Sequence, residues 1–437
     1  MSNITIGIMG CGALLALLAA SVPVAFAMAI VGVVGFACIT SPHAALTMLA
    51  TDVYDSFARH SFTVIPLFVF MGQVAFHAGI SRRLFAAAYQ WFGPLPGGLA
   101  MASVGACTAF GAICGSGPAT AATMASVALP EMKRYRYDME LACGAVASGG
   151  SLGMLIPPSV VFIVYAIMTQ ESIGKLFIAG IVPGLLIAAL FCLTIYIHCK
   201  LRPHLGPAAT GITWRGRLAS LLGVAETLVL FALVIGGMFA GWFTPTEAAA
   251  IGAAGSLVIA ALRGQLHMRM LSRALIETLR TACMVMIIVA GAVVFGRFLA
   301  VTRIPWELAG WLSGLAVPGW CIFALIILFY LVAGCFVDAL GLILLTIPVF
   351  YPVIQGLGYE NYNLIWFGVV IVVVTQMGVI SPPVGVCAYV VGGIARDVPL
   401  QTIFKGALPF LLALIVAAIL LIVFPQLALW LPGHVRL

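Results

Sequence analysis

The segment Gly149-Gly-Ser-Leu-Gly-Met-Leu-Ile-Pro-Pro-Ser159 interrupts one apolar run, and Gly378-Val-Ile-Ser-Pro-Pro-Val-Gly385 interrupts another. Pro157 and Pro158 have no amide hydrogen, so the carbonyls of Gly153 and Met154 lose their helical partners. Pro382 and Pro383 do the same to Gly378 and Val379. An unpaired carbonyl is costly in hydrocarbon, so such a break survives only where protein, water or an ion satisfies it. One break alone reads as a proline kink repaired by neighbouring helices. Two in matching places read as a binding region for a hard cation, which takes oxygen ligands. Ser148, Gly149, Gly150 and Ser151 precede the first break, Thr375 precedes the second, and Ser381 lies within it.

The rest of the chain says which solvent surrounds these breaks. Of 437 residues, 63% are hydrophobic and 8% charged, against about 25% charged in a soluble domain. Thirteen acids and twenty bases cannot cover a soluble surface of this size. A soluble enzyme, a disordered scaffold and a nucleic-acid binder are excluded, and the solvent for most of the chain is lipid. The formal charge of +7 then reports topology, because Lys and Arg stay on the cytoplasmic side. The eleven cysteines are scattered through apolar runs without a CxxC pair, so neither zinc nor a disulfide framework is indicated. The N-terminus is apolar from Ile4 to Ile39 with no Lys or Arg before Arg59. It lacks the basic n-region of a signal peptide and is expected to stay in the protein. Pro23 divides it into two spans joined by a tight turn, or kinks one.

Runs of about twenty apolar residues and their interruptions organise the chain into an all-α polytopic membrane protein. We read residues 1–42 as N-terminal spans, 43–61 as an amphipathic arm and 62–168 as a first repeat. That repeat contains a hairpin-like segment at 97–130 and a broken helix at 141–168. Residues 169–262 are linking spans with a basic loop, and 263–280 form a second arm. A second repeat at 281–394 contains a hairpin at 318–350 and a broken helix at 364–394, and 395–437 is a C-terminal span. An offset of 222 residues brings Pro130 onto Pro352, Tyr137 onto Tyr359, Asp138 onto Glu360 and Met48-Leu49 onto Met270-Leu271. With three residues inserted, the two Gly-x-x-x-Pro-Pro breaks coincide. Paired interrupted helices in an internal repeat mark a secondary transporter. Assigning sides by alternation puts fifteen bases on one side. The other holds Arg59, Lys175, Arg297, Arg303 and Arg436. The first side is therefore cytoplasmic, and the halves are expected to be inverted relative to each other.

The hairpin tips carry the remaining polar signal. Gly115-Ser116-Gly117-Pro118 lies midway through the first hairpin. It predicts a helix ending near Ile113 and another starting at Pro118, with its positive end at the tip. Asp338 stands 222 residues after Ser116. An intramembrane acid is a functional-site hypothesis, with a plain helix cap as the alternative. Helix N-termini facing one cavity would favour a carboxylate. No HExxH and no Walker-A lysine occurs, so the chain is expected to be a transporter without cofactor, not an enzyme, and to use no ATP itself.

The stretches GSGPATAATMASVALPEMKRYRYD (115–138), GGSLGMLIPPS (149–159), GWFTPTEAAA (241–250) and GVISPPVG (378–385) together resemble the large membrane subunit of tripartite ATP-independent periplasmic (TRAP) transporters. The resemblance implies a bacterial inner-membrane permease working as an elevator, with a mobile domain moving against a fixed scaffold. It implies coupling to Na+, a small four-helix membrane subunit, and a periplasmic binding protein that delivers an organic acid. By position, the family's ion and substrate region falls on Gly115, Ser116, Gly149, Gly150, Gly153, Asp338, Thr375 and Gly378. Ser381 lies beside it, and Na+ would be held through backbone carbonyls near Gly153 and Gly378. Arg136 departs from the family's usual glycine in a turn and is expected to alter that turn alone. Thr244-Pro-Thr-Glu247 reads as a helix start, and 43–61 and 263–280 as interfacial arms. The expectation is thus Na+-coupled, binding-protein-dependent uptake of a small organic anion such as a C4-dicarboxylate or sialic acid. A self-sufficient cation–dicarboxylate symporter and an anion channel are the alternatives.

Overall fold

The computed structural model describes residues 2–209, 212–314, 319–356 and 363–434, and every regular element among them is helical. The apolar N-terminus forms two helices, α1 (Asn3–Ala19) and α2 (Val24–Ile39). Ser21 turns the chain at a positive φ of 63°, and Pro23 stands at the cap of α2. Ser41 caps α3 (Pro42–Ala58) by accepting the Ala44 amide at 3.2 Å, with proline in the first turn where no amide partner is needed. A 3-10 turn leads into α4 (Val64–His77), and α5 (Ile80–Phe92) follows. Helix α5 falls within the 62–168 repeat, where the sequence marked only the segments 97–130 and 141–168. It buries Ile80, Leu84 and Phe85 on one face and exposes Arg82 on another, the pattern of a short surface helix.

The first hairpin is α6 (Gly98–Cys114) and α7 (Gly117–Arg134). The broken helix after it is α8 (Met139–Ser151), a 3-10 turn at Leu152–Met154, and α9 (Val160–Thr169). Then come α10 (Ile173–Leu201), α11 (Trp214–Phe239) and α12 (Pro245–Leu262). Helix α12 starts with a capping box. Glu247 accepts the Thr244 amide at 2.8 Å, and Thr244 Oγ1 accepts the Glu247 amide at 3.3 Å. Helix α13 (Met268–Thr302) follows, with α14 (Ile304–Gly314), α15 (Gly319–Gly334) and α16 (Ala339–Gly356). The chain ends with α17 (Leu364–Ile380), α18 (Val386–Ile394), α19 (Leu400–Val423) and α20 (Gln426–His434).

Residues 263–280 are not a separate arm. No Gly or Pro interrupts Met268–Ala290, so the helix propagates through its 35 residues, about 52 Å at 1.5 Å per residue. That exceeds a hydrocarbon core of about 30 Å, and one end must project from it. Tyr351 lies inside α16, whereas Tyr359 and Glu360 lie outside the described residues. By length and composition, five helices (α10, α11, α12, α13 and α19) and the segment His60–His77 can cross a membrane; shorter apolar helices fill the space between them. Helix α13 packs against α1 to α4, and α4 also packs against α12. On the other flank α6, α7, α8, α18 and α19 pack together, and α15 and α16 pack on α17. The two flanks face each other along α4–α6 and α13–α16.

Candidate functional site

Each hairpin turns at a tip that its own sequence builds. Helix α6 ends on Gly115, whose φ of 66° suits glycine and whose amide bonds the Gly111 carbonyl at 2.9 Å. Ser116 is extended, and Gly117-Pro118 open α7. The Ser116 hydroxyl makes no capping bond, so the first-turn amides have no intrahelical acceptor and the positive helix end is bare. At the second tip Asp338 does cap. Its Oδ2 accepts the Leu340 amide at 3.1 Å, and its carbonyl accepts the Leu342 amide at 2.8 Å. One tip therefore offers donors and a free hydroxyl, while the other offers a carboxylate.

Both tips line one cavity of about 460 Å³, which Gly115, Ser116 and Asp338 share with Gln73, Met154 and Thr281. Gln73 on α4 and Thr281 on α13 were not foreseen. Gln73 is an uncharged polar residue in an otherwise apolar span, which was the available signal. A carboxylate ligand here would find the amides of α7 and the hydroxyls of Ser116 and Thr281, and a cation would find Asp338.

The two tips are held alike. The Gly115 carbonyl accepts the Val160 amide at 3.2 Å, and the Cys335 carbonyl accepts the Val384 amide at 3.2 Å. Each tip is thus tied by backbone to the second half of a broken helix. The Pro157–Pro158 and Pro382–Pro383 bonds are both cis.

Gly149, Gly150, Gly153, Thr375, Gly378 and Ser381 do not line the cavity. They lie behind it, where broken helices and hairpins touch. Gly149 faces Cys107, and Gly150 faces Ala121. A Cβ on Gly153 would stand 2.6 Å from Thr120 Oγ1 and 2.9 Å from the Ser116 carbonyl oxygen, and one on Gly378 would enter the backbone of Gly334. Small residues at such crossings let helices approach closely. Thr375 is buried and donates to the Val372 carbonyl at 2.9 Å.

The freed carbonyls are also partly claimed. The Ser159 hydroxyl donates to Met154, not leaving that carbonyl open. Ser381 gives its amide to the Gly378 carbonyl at 3.1 Å and its hydroxyl to Met377 at 2.6 Å. Serines close to each double proline replace the lost donors. A carbonyl has two lone pairs, so Gly378 retains capacity for a further ligand. The two broken helices are joined by Gln376 Nε2, which donates to the Ser151 carbonyl at 3.1 Å. Gln376 Oε1 and, one turn before Ser151 on α8, Ser148 Oγ are each buried without a hydrogen-bond partner among the described residues. Each is a neutral oxygen that a water or a small cation could meet. No group of three His, Cys, Asp or Glu side chains suited to a metal occurs among the described residues.

Residues 11–427 match the family described as tripartite ATP-independent periplasmic transporter, DctM component. The chain is 35% identical over 386 residues to the C4-dicarboxylate TRAP transporter large permease protein DctM of Pseudomonas aeruginosa, covering 88% of this chain and 89% of that one. It is 31% identical over 420 residues to the sialic acid TRAP transporter large permease protein SiaM of Vibrio cholerae, covering 96% of each. Among solved structures, the YdaH transporter of Alcanivorax borkumensis superposes with a TM-score of 0.64 at 16% identity, over 90% of both chains. That likeness bears on the fold alone.

Proposed function

The chain belongs to the DctM family, the large permease component of TRAP transporters, and on that premise we propose that it carries out Na+-coupled uptake of a small organic anion. The observation that carries the proposal is the shared cavity, in which a bare helix N-terminus with Ser116 faces a space that also holds the carboxylate of Asp338. Donors at one tip suit the carboxylate of the cargo, and the acid at the other suits its coupling cation. The substrate class is that of the relatives, a C4-dicarboxylate or a sialic acid. A periplasmic binding protein would deliver it, and a small four-helix subunit would complete the permease in the bacterial inner membrane.

The moving unit in this proposal is α6–α9 with α15–α18, an elevator riding on a scaffold that includes α1–α4 and α13. Matching backbone ties at Gly115 and Cys335 support an inverted pair of repeats. So do the ion pairs, each of which joins residues that the charge pattern assigns to one side. Asp52 meets Arg297 at 3.3 Å on one side, and Lys133 meets Asp397 at 2.5 Å on the other. Behind the tips, Ser148, Gln376 and the Gly153 and Gly378 loops supply neutral oxygens for Na+.

The test is uptake into proteoliposomes holding the permease with its small subunit, with and without sodium and added binding protein. Uptake requiring both is expected. Uptake without any binding protein would make the chain a self-sufficient symporter, and conductive flux without sodium would make it a channel. Asp338→Asn keeps a capping side chain but removes the charge, and Ser116→Ala removes the free hydroxyl. Each should raise the sodium concentration for half-maximal uptake; unchanged titrations would remove these residues from the site.

A further inference from the structure

A second cavity, of about 610 Å³, lies further along two of the helices that line the first. On α4, Gln73 lines the central cavity and His77, one turn later, lines the second. On α7, Ala119 lines the first and Ser126 the second, about 10 Å further at 1.5 Å per residue. At the boundary, His77 Nε2 meets Glu277 Oε2 at 3.2 Å, joining α4 to α13 one turn from Thr281.

The walls of this second cavity are basic. Arg82 and Arg83 come from α5, and Arg263 from the end of α12. A single carboxylate, Glu226 on α11, serves two of them. It binds Arg263 through two bonds of 2.7 and 2.6 Å and reaches Arg83 Nη1 at 3.3 Å. Arg83 Nη2 is buried without a hydrogen-bond partner among the described residues. Burial pushes the Arg83 guanidinium below its ordinary value, Glu226 opposes this, and Arg263 adds to it. A buried donor left unpaired is costly, more so when charged, and an incoming oxygen anion would relieve that cost. Arg82 is exposed at the mouth. Three guanidinium groups around one recess focus a positive potential on it.

We propose that this cavity is an anion-binding exit vestibule that takes the cargo's carboxylate from the central cavity toward the cytoplasm, with Arg83 as its principal donor. The proposal rests on the uptake reading above and adds to it a second ligand site, built on residues outside both tips and both helix breaks. Its direction follows from the charge asymmetry, which puts α5 and the α12–α13 link on the cytoplasmic side. The same oxygen-anion chemistry could come from an acidic phospholipid headgroup, and the test separates the two sources.

Ser126→Cys is introduced into the full-length permease purified in an uncharged detergent. Its modification rate is read, peptide by peptide, by mass spectrometry with a sulfonate-bearing thiosulfonate and with a neutral one. The anionic reagent should react faster relative to the neutral one. Removing a charge in Arg82→Gln or Arg83→Gln should lower that ratio about threefold, the effect that a unit charge has at a separation of about 6 Å in a water-like dielectric, and Arg83→Lys should restore it. Arg82 has no ion pair to lose among the described residues, so its variant keeps the test decisive if Arg83→Gln fails to fold. Millimolar succinate or N-acetylneuraminate should slow labelling by the anionic reagent, and Arg83→Gln should abolish this protection. A ratio unmoved by Arg82→Gln, or protection by phosphatidylglycerol micelles with none from either acid, would overturn the proposal. Labelling is read without transport. An unmoved ratio therefore removes the vestibule whatever the uptake, and absent uptake removes the permease reading whatever the ratio.

Discussion

Substituting Gly153 by alanine adds one methyl group at the junction of the first broken helix and the first tip. The new Cβ would stand 2.6 Å from Thr120 Oγ1 and 2.9 Å from the Ser116 carbonyl, where ordinary contacts begin near 3.4 Å. The tip must retreat by about half an ångström, and it is anchored by the Gly115–Val160 backbone bond. Overpacking of this kind costs about 1–3 kcal/mol. If about 1.4 kcal/mol of that is expressed at the binding tip, affinity falls about tenfold. The control is Gly236→Ala in α11, whose Cβ would meet nothing within 4 Å and which should leave stability unchanged or slightly raised. Thermal unfolding of the purified permease and sodium titration of uptake are the two readouts. Gly153→Ala should lower the midpoint and shift the titration, and Thr120→Ala in the same chain should recover part of both by removing the nearer contact. Indistinguishable curves for Gly153→Ala and Gly236→Ala would show that the tip does not depend on this close approach.

Thr244→Ala removes the hydroxyl half of the capping box on α12. It should cost about 1 kcal/mol in chemical unfolding while leaving the sodium titration in place. Arg297→Met leaves the Asp52 carboxylate, which is 5% exposed, without its ion-pair partner. It should destabilise by about 1–3 kcal/mol, and Asp52→Asn in the same chain should restore part of the loss in thermal unfolding. Asp397 accepts a bond from Lys133, which holds its carboxyl below the ordinary carboxylate range. A value depressed in the folded state contributes stability above the unfolded value of about 3.9 and loses it as pH falls through the folded value. Lys133→Gln should therefore narrow the stability gap to the parent protein below about pH 3.9, in unfolding series run against pH.

The sequence located the breaks and tips well because their signals are local. A double proline removes two donors wherever it stands. Gly-Ser-Gly-Pro favours a helix stop and start, and Thr-Pro-Thr-Glu builds its own cap. It misjudged the second arm, where the amphipathic stretch and the following span contain no breaker between them. It also missed α5, whose burial pattern belongs to a surface helix too short to span. The carbonyls expected to stand open at Met154 and Gly378 are partly claimed by near neighbours. The Ser159 hydroxyl donates to Met154 and the Ser381 amide to Gly378, and only the folded chain shows which way a hydroxyl turns.

Composition and local chemistry alone established that the chain lives in lipid, folds as helices, and breaks them at two matching places. They also carried the likeness to its family. The tertiary structure decided which of the polar residues share a space. Ser116 and Asp338 lie 222 residues apart, yet line one cavity with Gln73 and Thr281, while the glycines at 149, 150, 153 and 378 serve helix contact behind it. It also gathered Arg82, Arg83 and Arg263 around one cavity and set two of them, Arg83 and Arg263, on one carboxylate. The reason is physical. A helix that is apolar on every side gives no face by which to orient it, so its rotation and neighbours are chosen by close packing of small residues, and that choice exists only once all the helices are assembled.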